Sequence, residues 1–545
     1  MPYMIKNAKI ATMNELLPAA GAAVVDGEYF AYVGNEKGAE EWFRSRGLEP
    51  EQVLDLNGLF MLPGFNDSHM HFLHYVKAKF GANLGGSKSL KEVIDRMTAF
   101  FNGSYDKASG LWVSGEGWNQ DYFEDEKRFP TRRDLDAITT EFPMIIMRAC
   151  FHIGVLNTRA MEAIGLNRET AAEYGAYVEL DENGEPNGVI KEKLFDDVKG
   201  MMPAPDIRQL ADKMEETQAE FFAAGITSVQ TDDLLYIPTG KEYDMLRLLR
   251  DDSEKGLLKI RYAHQVLLPL PADCTRFYDQ EGLDDSFGSR SYKISCVKLL
   301  ADGSLGARTA YMRKPYADDA STQGIPIYTQ EALNYQVLEA HRHNMAAIIH
   351  AIGDGAIEMC LNAIENARKT LPHLHPRHGI VHCQITTPEQ LRRFKELDVS
   401  AFVQPVFIDY DMHIVRDRVG DQLTETSYAW RTYIESGVHT SFGTDCPVEN
   451  FNPMRGIYCA VTRKAINGDG PFLPEQAVTR QQALYAYTAA GAYETHDENV
   501  KGLIAPGFLA DFTVLDTDLL DCDESAILSA KPVMTAVGGE IVYRG

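Results

Sequence analysis

The stretch LPGFNDSHMHF, residues 62–72, decides how this chain is read. An apolar lead-in, Leu59-Phe60-Met61-Leu62, runs into His69 and His71. On an extended strand, residues i and i+2 project to the same side, so both imidazoles enter one space. Neutral imidazole is a good ligand for zinc and neighbouring transition metals. One His-x-His pair is weak evidence in a chain with fifteen histidines. A second pair, His341 and His343, lies in LEAHRHNMAAIIH, which reads as a helix. On a helix, i and i+2 do not share a face, so that pair is expected to be solvated.

Four further segments strengthen the first pair. Lys298 lies in VKLLADGSLGARTA (297–310), His350 in IIHAIGDGAI (348–357), His382 in HGIVHCQ (378–384) and Asp445 in SFGTDCPVEN (441–450). Each follows a short apolar run of strand length. In a (β/α)8 TIM barrel the strand C-termini converge on one face, so distant residues meet around one site. The expected fold is therefore α/β, a (β/α)8 barrel, with His69, His71, Lys298, His350, His382 and Asp445 as one hydrolytic metal centre. Lys298 needs an explanation, since a buried ammonium is costly unless paired or neutralised. It can pair with a carboxylate such as Asp302, or react with CO2 to give a carbamate that bridges two metals. Cys296, two residues earlier on the same strand face, is a rival bridge as a thiolate.

With these segments, GEGWNQDYFEDEKRFPTRRDLD (115–136), NGVIKE (187–192), AAGITSV (223–229), VQPVF (403–407), FGTDCPVENFNP (442–453) and the tail GLIAPGFLADFTVLD (502–516) complete a pattern. It resembles the amidohydrolase superfamily, in its branch of long YtcJ-like and N-substituted formamide deformylase-like proteins. The resemblance covers nearly the whole chain. It implies that His69 and His71 close barrel strand one, that Lys298, often carboxylated in such proteins, follows strand four, and that His350, His382 and Asp445 follow strands five, six and eight. It implies hydrolysis of a C–N amide bond. Two departures stand out. The run CFHIGVLN around His152 replaces a Gly-His-Ser-like run, and GITSVQTDD (225–233) lacks a His-Asp after its strand, so no metal ligand is expected there.

Composition agrees. A chain of 545 residues with 45% hydrophobic content can fill a barrel with insertions. A net charge of −26 argues against nucleic acid, whose phosphates it would repel. The start MPYMIKNAKIATMNELLP lacks a basic segment before an apolar core, so no signal peptide is expected. No apolar run is long enough to span a membrane. Eight scattered cysteines suggest reduced thiols and a cytoplasmic location. The expected partner is a small-molecule amide substrate; a homodimer is compatible with the sequence.

The start of the chain, with IKNAKIATM, AAVVDGEYFAYVG and QVLDLNGLFML, reads as strands broken by Asp-Gly and Asn-Gly hairpin signals, and its end, with ADFTVLDTD and PVMTAVGGEIVYRG, has the same texture. They predict a small β-sandwich domain from residues 1–59 and 500–545, beside a barrel over 60–499. The stretch of about 73–205 is too long for one barrel helix and loop, and it reads as an inserted α/β lid that selects substrate. Trp118, His152, Arg308 and Gln404 are the candidate substrate-binding residues, with Asn119, Tyr122 and Glu192 as possible neighbours. Arg308 can clamp a substrate carboxylate or pair with a local acid.

The expected cofactor is a divalent metal, two zinc ions per chain, with a carboxylated Lys298. A divalent ion lowers the pKa of bound water to about 7, and Asp445 is placed as the catalytic proton shuttle. The same residues would serve cyclic ureides or lactones. A non-catalytic, metal-binding regulatory scaffold is the alternative class, although it would not need Asp445.

Overall fold

The computed structural model describes residues 2–150 and 152–545. By contacts, the chain divides into one compact unit of residues 1–72, 215–237 and 242–545, and a second of 73–214 and 238–241.

The larger unit is built on eight parallel strands hydrogen-bonded in chain order. They are β1 (Phe65–Met70), β2 (Ile226–Thr231), β3 (Arg261–Leu267), β4 (Tyr292–Leu300), β5 (Ala347–Ala351), β6 (Gly379–His382), β7 (Ser400–Val403) and β8 (Thr440–Phe442). Parallel strands covered on both faces read as continuous apolar runs rather than alternating ones. All seven residues of β3 and all six of β1 are buried, which explains that texture. The helices between them carry clear start signals. Pro388 opens the helix Pro388–Glu396, and Thr387 and Gln390 form its capping box.

The two chain ends form two further sheets. Tyr3–Lys6, Ala22–Asp26, Tyr29–Gly34 and Val53–Asp55 make one of four strands. Lys9–Ala11, Ala19–Ala20, Phe60–Pro63, Phe512–Leu515, Pro532–Val537 and Glu540–Arg544 make one of six. Both sheets contribute to one apolar core that includes Ile5, Val25, Phe30, Met61, Phe512 and Val514. A buried ion pair joins the C-terminal segment to the barrel: Arg261, at the start of β3, donates Nη2 to Asp511 Oδ1 at 2.8 Å and Nε to Asp511 Oδ2 at 2.5 Å.

The second unit has a mixed six-stranded sheet, in the order Val178–Leu180, Pro186–Lys191, Ile153–Leu156, Met144–Arg148, Val113–Trp118, Gly81–Asn83. Its helix Leu90–Gly103 is capped by Ser89 and buries Leu90, Val93, Met97 and Phe101, one apolar stripe at helical spacing. Among the described residues, no helix is long and apolar enough to cross a membrane.

The pair His341 and His343 departs from expectation. His341 is buried, with Nδ1 2.8 Å from His378 Nε2 and Nε2 3.1 Å from Leu371 O. It lies in the last turn of the helix Gln330–Arg342, whose inner face packs it; only His343 is exposed. The helix ends at Arg342 with His343 as its cap, so the two histidines meet different environments.

Removing one member of a buried ion pair leaves the other charge uncompensated, at a cost of about 3–5 kcal/mol. Asp511→Ala should destabilise the fold by that order in chemical denaturation. Burial works to raise Asp511, but Arg261 holds its carboxyl below the ordinary range. Its contribution is therefore present above the unfolded carboxylate pKa and is lost as pH falls through the folded value. A variant with an unchanged midpoint would show that the pair contributes nothing.

Candidate metal centre

The barrel closes where the ligands lie. β1 brings His69 to its C-terminal end, and His71 follows one residue beyond the strand. Past the end of β8, Asp445 N donates to His69 O at 2.9 Å, and His71 N donates to Cys446 O at 2.7 Å. Buried Asp67 reinforces this join. Its Oδ1 accepts from His69 N at 3.2 Å and from Thr444 N at 3.0 Å, and its Oδ2 accepts from Thr444 Oγ1 at 2.5 Å. Two members of the centre have left-handed backbone, His382 at φ 76° and Asp445 at φ 59°. Such conformations cost about 1–3 kcal/mol and persist at functional sites where the surroundings over-determine them.

The structure brings all six expected residues together. Asp445 Oδ1 lies 3.1 Å from His71 Nε2 and 3.6 Å from His69 Nε2. This buried oxygen has no hydrogen bond. Ligand atoms of His69, His71 and Asp445 lie within 4.8 Å of one another, the spacing of a metal-holding group. Lys298 Nζ is 3.0 Å from His69 Nε2. The His69 and His382 rings are 5.9 Å apart, and those of His382 and His350 are 4.4 Å apart.

Hydrogen bonds decide which imidazole nitrogens are bare. His69 Nδ1 donates to Gln265 Oε1 at 2.7 Å, His71 Nδ1 to the Asp232 carbonyl at 2.8 Å, and His382 Nδ1 to Gln404 Oε1 at 2.8 Å. That leaves Nε2 of His69 and His382 with its lone pair; His71 Nε2 faces Asp445 Oδ1, and although burial works to lower His71, this contact raises it to about 9. His350 is reversed: Nε2 donates to the Gly303 carbonyl at 3.0 Å, which leaves Nδ1. The glutamines are themselves held, Gln265 Nε2 by Ser68 O at 3.1 Å and Gln404 Nε2 by Phe402 O at 3.3 Å. Such outer partners fix the tautomer and orientation of a metal ligand.

The charges suit the same role. Burial, aided by the charge of Lys298, pushes His69 well below its usual range. Burial, followed by His350, does the same to His382. Both rings are therefore neutral. Burial lowers Lys298 below an ordinary lysine, although Asp232 and Asp445 offset part of the effect. Burial works to raise Asp445, but the imidazoles of His71, His382 and His69 hold it well below the carboxylate range.

The remaining sequence candidates fall in varied places. Gln404 directly follows β7 and is buried against His382 rather than facing open space. Trp118 is fully buried in the core of the second unit, packed edge-on against Phe129. His152 is exposed, with Nδ1 3.2 Å from Glu192 Oε2. Arg308 grips Asp318 with both Nε and Nη2, at 3.1 and 2.8 Å. The carboxylate nearest Lys298 is not Asp302 but Asp232, at 3.7 Å. Asp302 instead accepts backbone N–H groups of Tyr311, Ile352 and Gly353. Cys296 sits in an apolar cluster with Ile348, Val381 and Phe402, and burial pushes its thiol up to about 12.

Sequence reading missed Asp67, Gln265 and Asp232. Asp232 stands just after β2, in the run set aside for lacking histidine, and its Oδ1 is buried without a hydrogen bond. The one available signal was its position, a strand end shared with the other members.

The family model Amidohydro_3, amidohydrolase family, matches residues 52–543. YtcJ of Bacillus subtilis (strain 168) is 30% identical over 511 residues, covering 93% of each chain. The N-substituted formamide deformylase of Arthrobacter pascens is 24% identical over 563 residues, covering 99% of this chain and 98% of that protein. Among solved structures, an uncharacterized metal-dependent hydrolase from Pyrococcus furiosus superposes with a TM-score of 0.75 at 27% identity, covering 96% of this chain and all of that one.

Gly443 lies at the join. A β-carbon there would fall 2.7 Å from His69 N and 2.9 Å from Asp67 Oδ1. Gly443→Ala should destabilise the fold by about 1–3 kcal/mol, as overpacking does, and should lower metal content in elemental analysis. Normal melting together with normal metal content would show that the join tolerates displacement.

Proposed function

Because the chain belongs to the amidohydrolase family, we propose that it is a metal-dependent hydrolase that cleaves a C–N amide bond of the N-substituted formamide or N-acyl type. The observation that carries this reading is the convergence of four imidazoles, Lys298 and the Asp445 carboxylate at one end of the barrel. The similarity to a metal-dependent hydrolase and to a formamide deformylase supports it.

The donor set fits divalent cations, zinc first, because clustered imidazoles and a buried carboxylate are the donor types such ions take. His69, His71 and Asp445 would hold one ion, and His350 and His382 a second. A free ammonium on Lys298 would repel both. Its neutral amine can add to CO2, forming an N–C bond and releasing a proton, and the resulting carbamate would bridge the ions. When bound, such ions lower the pKa of water from 15.7 to about 7 and polarise a carbonyl.

The chain's own residues supply the proton path. Asp445 takes a proton from the attacking water as its oxygen joins the carbonyl carbon, then passes it to the amine nitrogen as the C–N bond breaks. An amide nitrogen leaves poorly unless protonated, and such transfer is worth about 10²–10⁴-fold. Gln265 and Gln404 hold the ligand rings in place throughout. Eight cysteines, none in a disulfide, support a reducing cytoplasmic location.

On a panel of formamides and N-acyl amino acids, Asp445→Asn should keep at least one metal and lose about 10²-fold or more in kcat, the cost of losing a general base. Activity within a few fold of the parent would remove Asp445 as the shuttle. Lys298→Ala should lose activity and recover part of it with added acetate or propionate. Density that ends at Nζ of Lys298 in a crystal of the metal-loaded enzyme would refute the carbamate.

A further inference from the structure

Asp232 stands where three barrel strands meet. It directly follows β2, and its N–H donates to the carbonyl of Met70, the last residue of β1, at 3.1 Å. Its own carbonyl accepts from His71 Nδ1 at 2.8 Å. The side chain faces β4 instead, with Oδ2 3.7 Å from Lys298 Nζ. One residue thus orients a histidine of the centre with its backbone and meets the lysine with its carboxylate.

That carboxylate depends on the lysine. Asp232 is buried, and its Oδ1 has no hydrogen bond. Among the described residues, Lys298 is its one ion-pair partner. Burial works to raise Asp232, and the charges of Lys298 and His71 offset part of that rise. A carboxylate in such a place is costly unless a neighbour donates to it.

Carboxylation of Lys298 changes what this neighbour offers. As the amine adds to CO2, the nitrogen bonds to the carbon, one proton leaves, and one N–H remains. Conjugation with the new carboxyl group makes the nitrogen planar and amide-like, a donor only. A buried N–H left without an acceptor costs its full desolvation. Two acceptors lie near Nζ. His69 Nε2, at 3.0 Å, is the atom that ring would give to a metal. Asp232 Oδ2 has no such duty.

We propose that Asp232 is the positioning residue of the Lys298 carbamate: its carboxylate accepts the N–H that remains on the nitrogen, and so sets the plane in which the two carbamate oxygens lie. The inference rests on the carbamate proposed above.

Carbon-13 NMR of the full-length, metal-loaded protein in labelled bicarbonate tests this, together with metal affinity from competition with a chelator. The parent should show a carbamate resonance that Lys298→Ala lacks. Asp232→Asn loses the charge but keeps an acceptor oxygen, so the resonance should persist. Asp232→Ala loses the acceptor. Its resonance should vanish, and metal should bind about 10–100-fold more weakly, as when the outer partner of a metal ligand is removed. In Lys298→Ala with added acetate, no carbamate N–H exists, so a further Asp232→Ala should change metal affinity by less than about threefold. Circular dichroism reports folding. Should Asp232→Ala fail to fold, Asp232→Asn decides alone, and loss of its resonance overturns the proposal. A parent without the resonance overturns the carbamate and this role together. A resonance that survives Asp232→Ala, or an equal loss of affinity in both backgrounds, overturns the role of Asp232 and leaves the carbamate standing.

Discussion

The carboxylate of Asp67 ties the first barrel strand to the segment after the last one. It accepts from His69 N, Thr444 N and Thr444 Oγ1, all away from solvent. Burial pushes its pKa up to about 7, and the three donors work against that rise. An acid in this position is stable only because the donors replace its water. The consequence is geometric. With Asp67 satisfied, His69 and Asp445 are held by neighbouring backbone, and His71 follows through its own bond to Cys446 O. The ligands are then positioned by the sheet itself rather than by flexible loops.

The rest of the centre is tuned by neutral partners. Gln265 and Gln404 accept from two imidazoles, and two backbone carbonyls accept from the other two. A carboxylate in those places would have added negative charge beside each ring. The reversal at His350 matters equally. It turns Nδ1, not Nε2, toward the cluster, so a ring on β5 and a ring on β6 can approach one volume from different depths. The result is a set of imidazoles held in place by neutral partners around Asp445 and Lys298.

Much of this was legible in the sequence. The six members of the centre each end an apolar run, and parallel strands buried on both faces produce such runs directly. The strand texture of the two chain ends was equally plain. What could not be read was pairing. Asp67 and Thr444 are 377 residues apart, and no local rule links them. Asp232 lay in a run judged by the residues it lacked. Gln404 was seen at a barrel-mouth position, but whether its amide would face a substrate or a histidine depends on a rotamer. Cys296 and Lys298 share a strand, yet one is surrounded by Ile348, Val381 and Phe402 and the other by ionisable groups.

The join between β1 and β8 also sets an order of events during synthesis. His69 and His71 leave the ribosome early, whereas Asp445 follows 376 residues later (445 less 69). At about 5–20 residues per second, that is a delay of roughly 20–75 s. For that interval the His-x-His pair has neither its carboxylate nor the strand that orders it. A two-histidine fragment on an unclosed sheet is a poor chelator compared with the finished site. The candidate centre is therefore completed among the last parts of the barrel, only once β8 has joined the sheet.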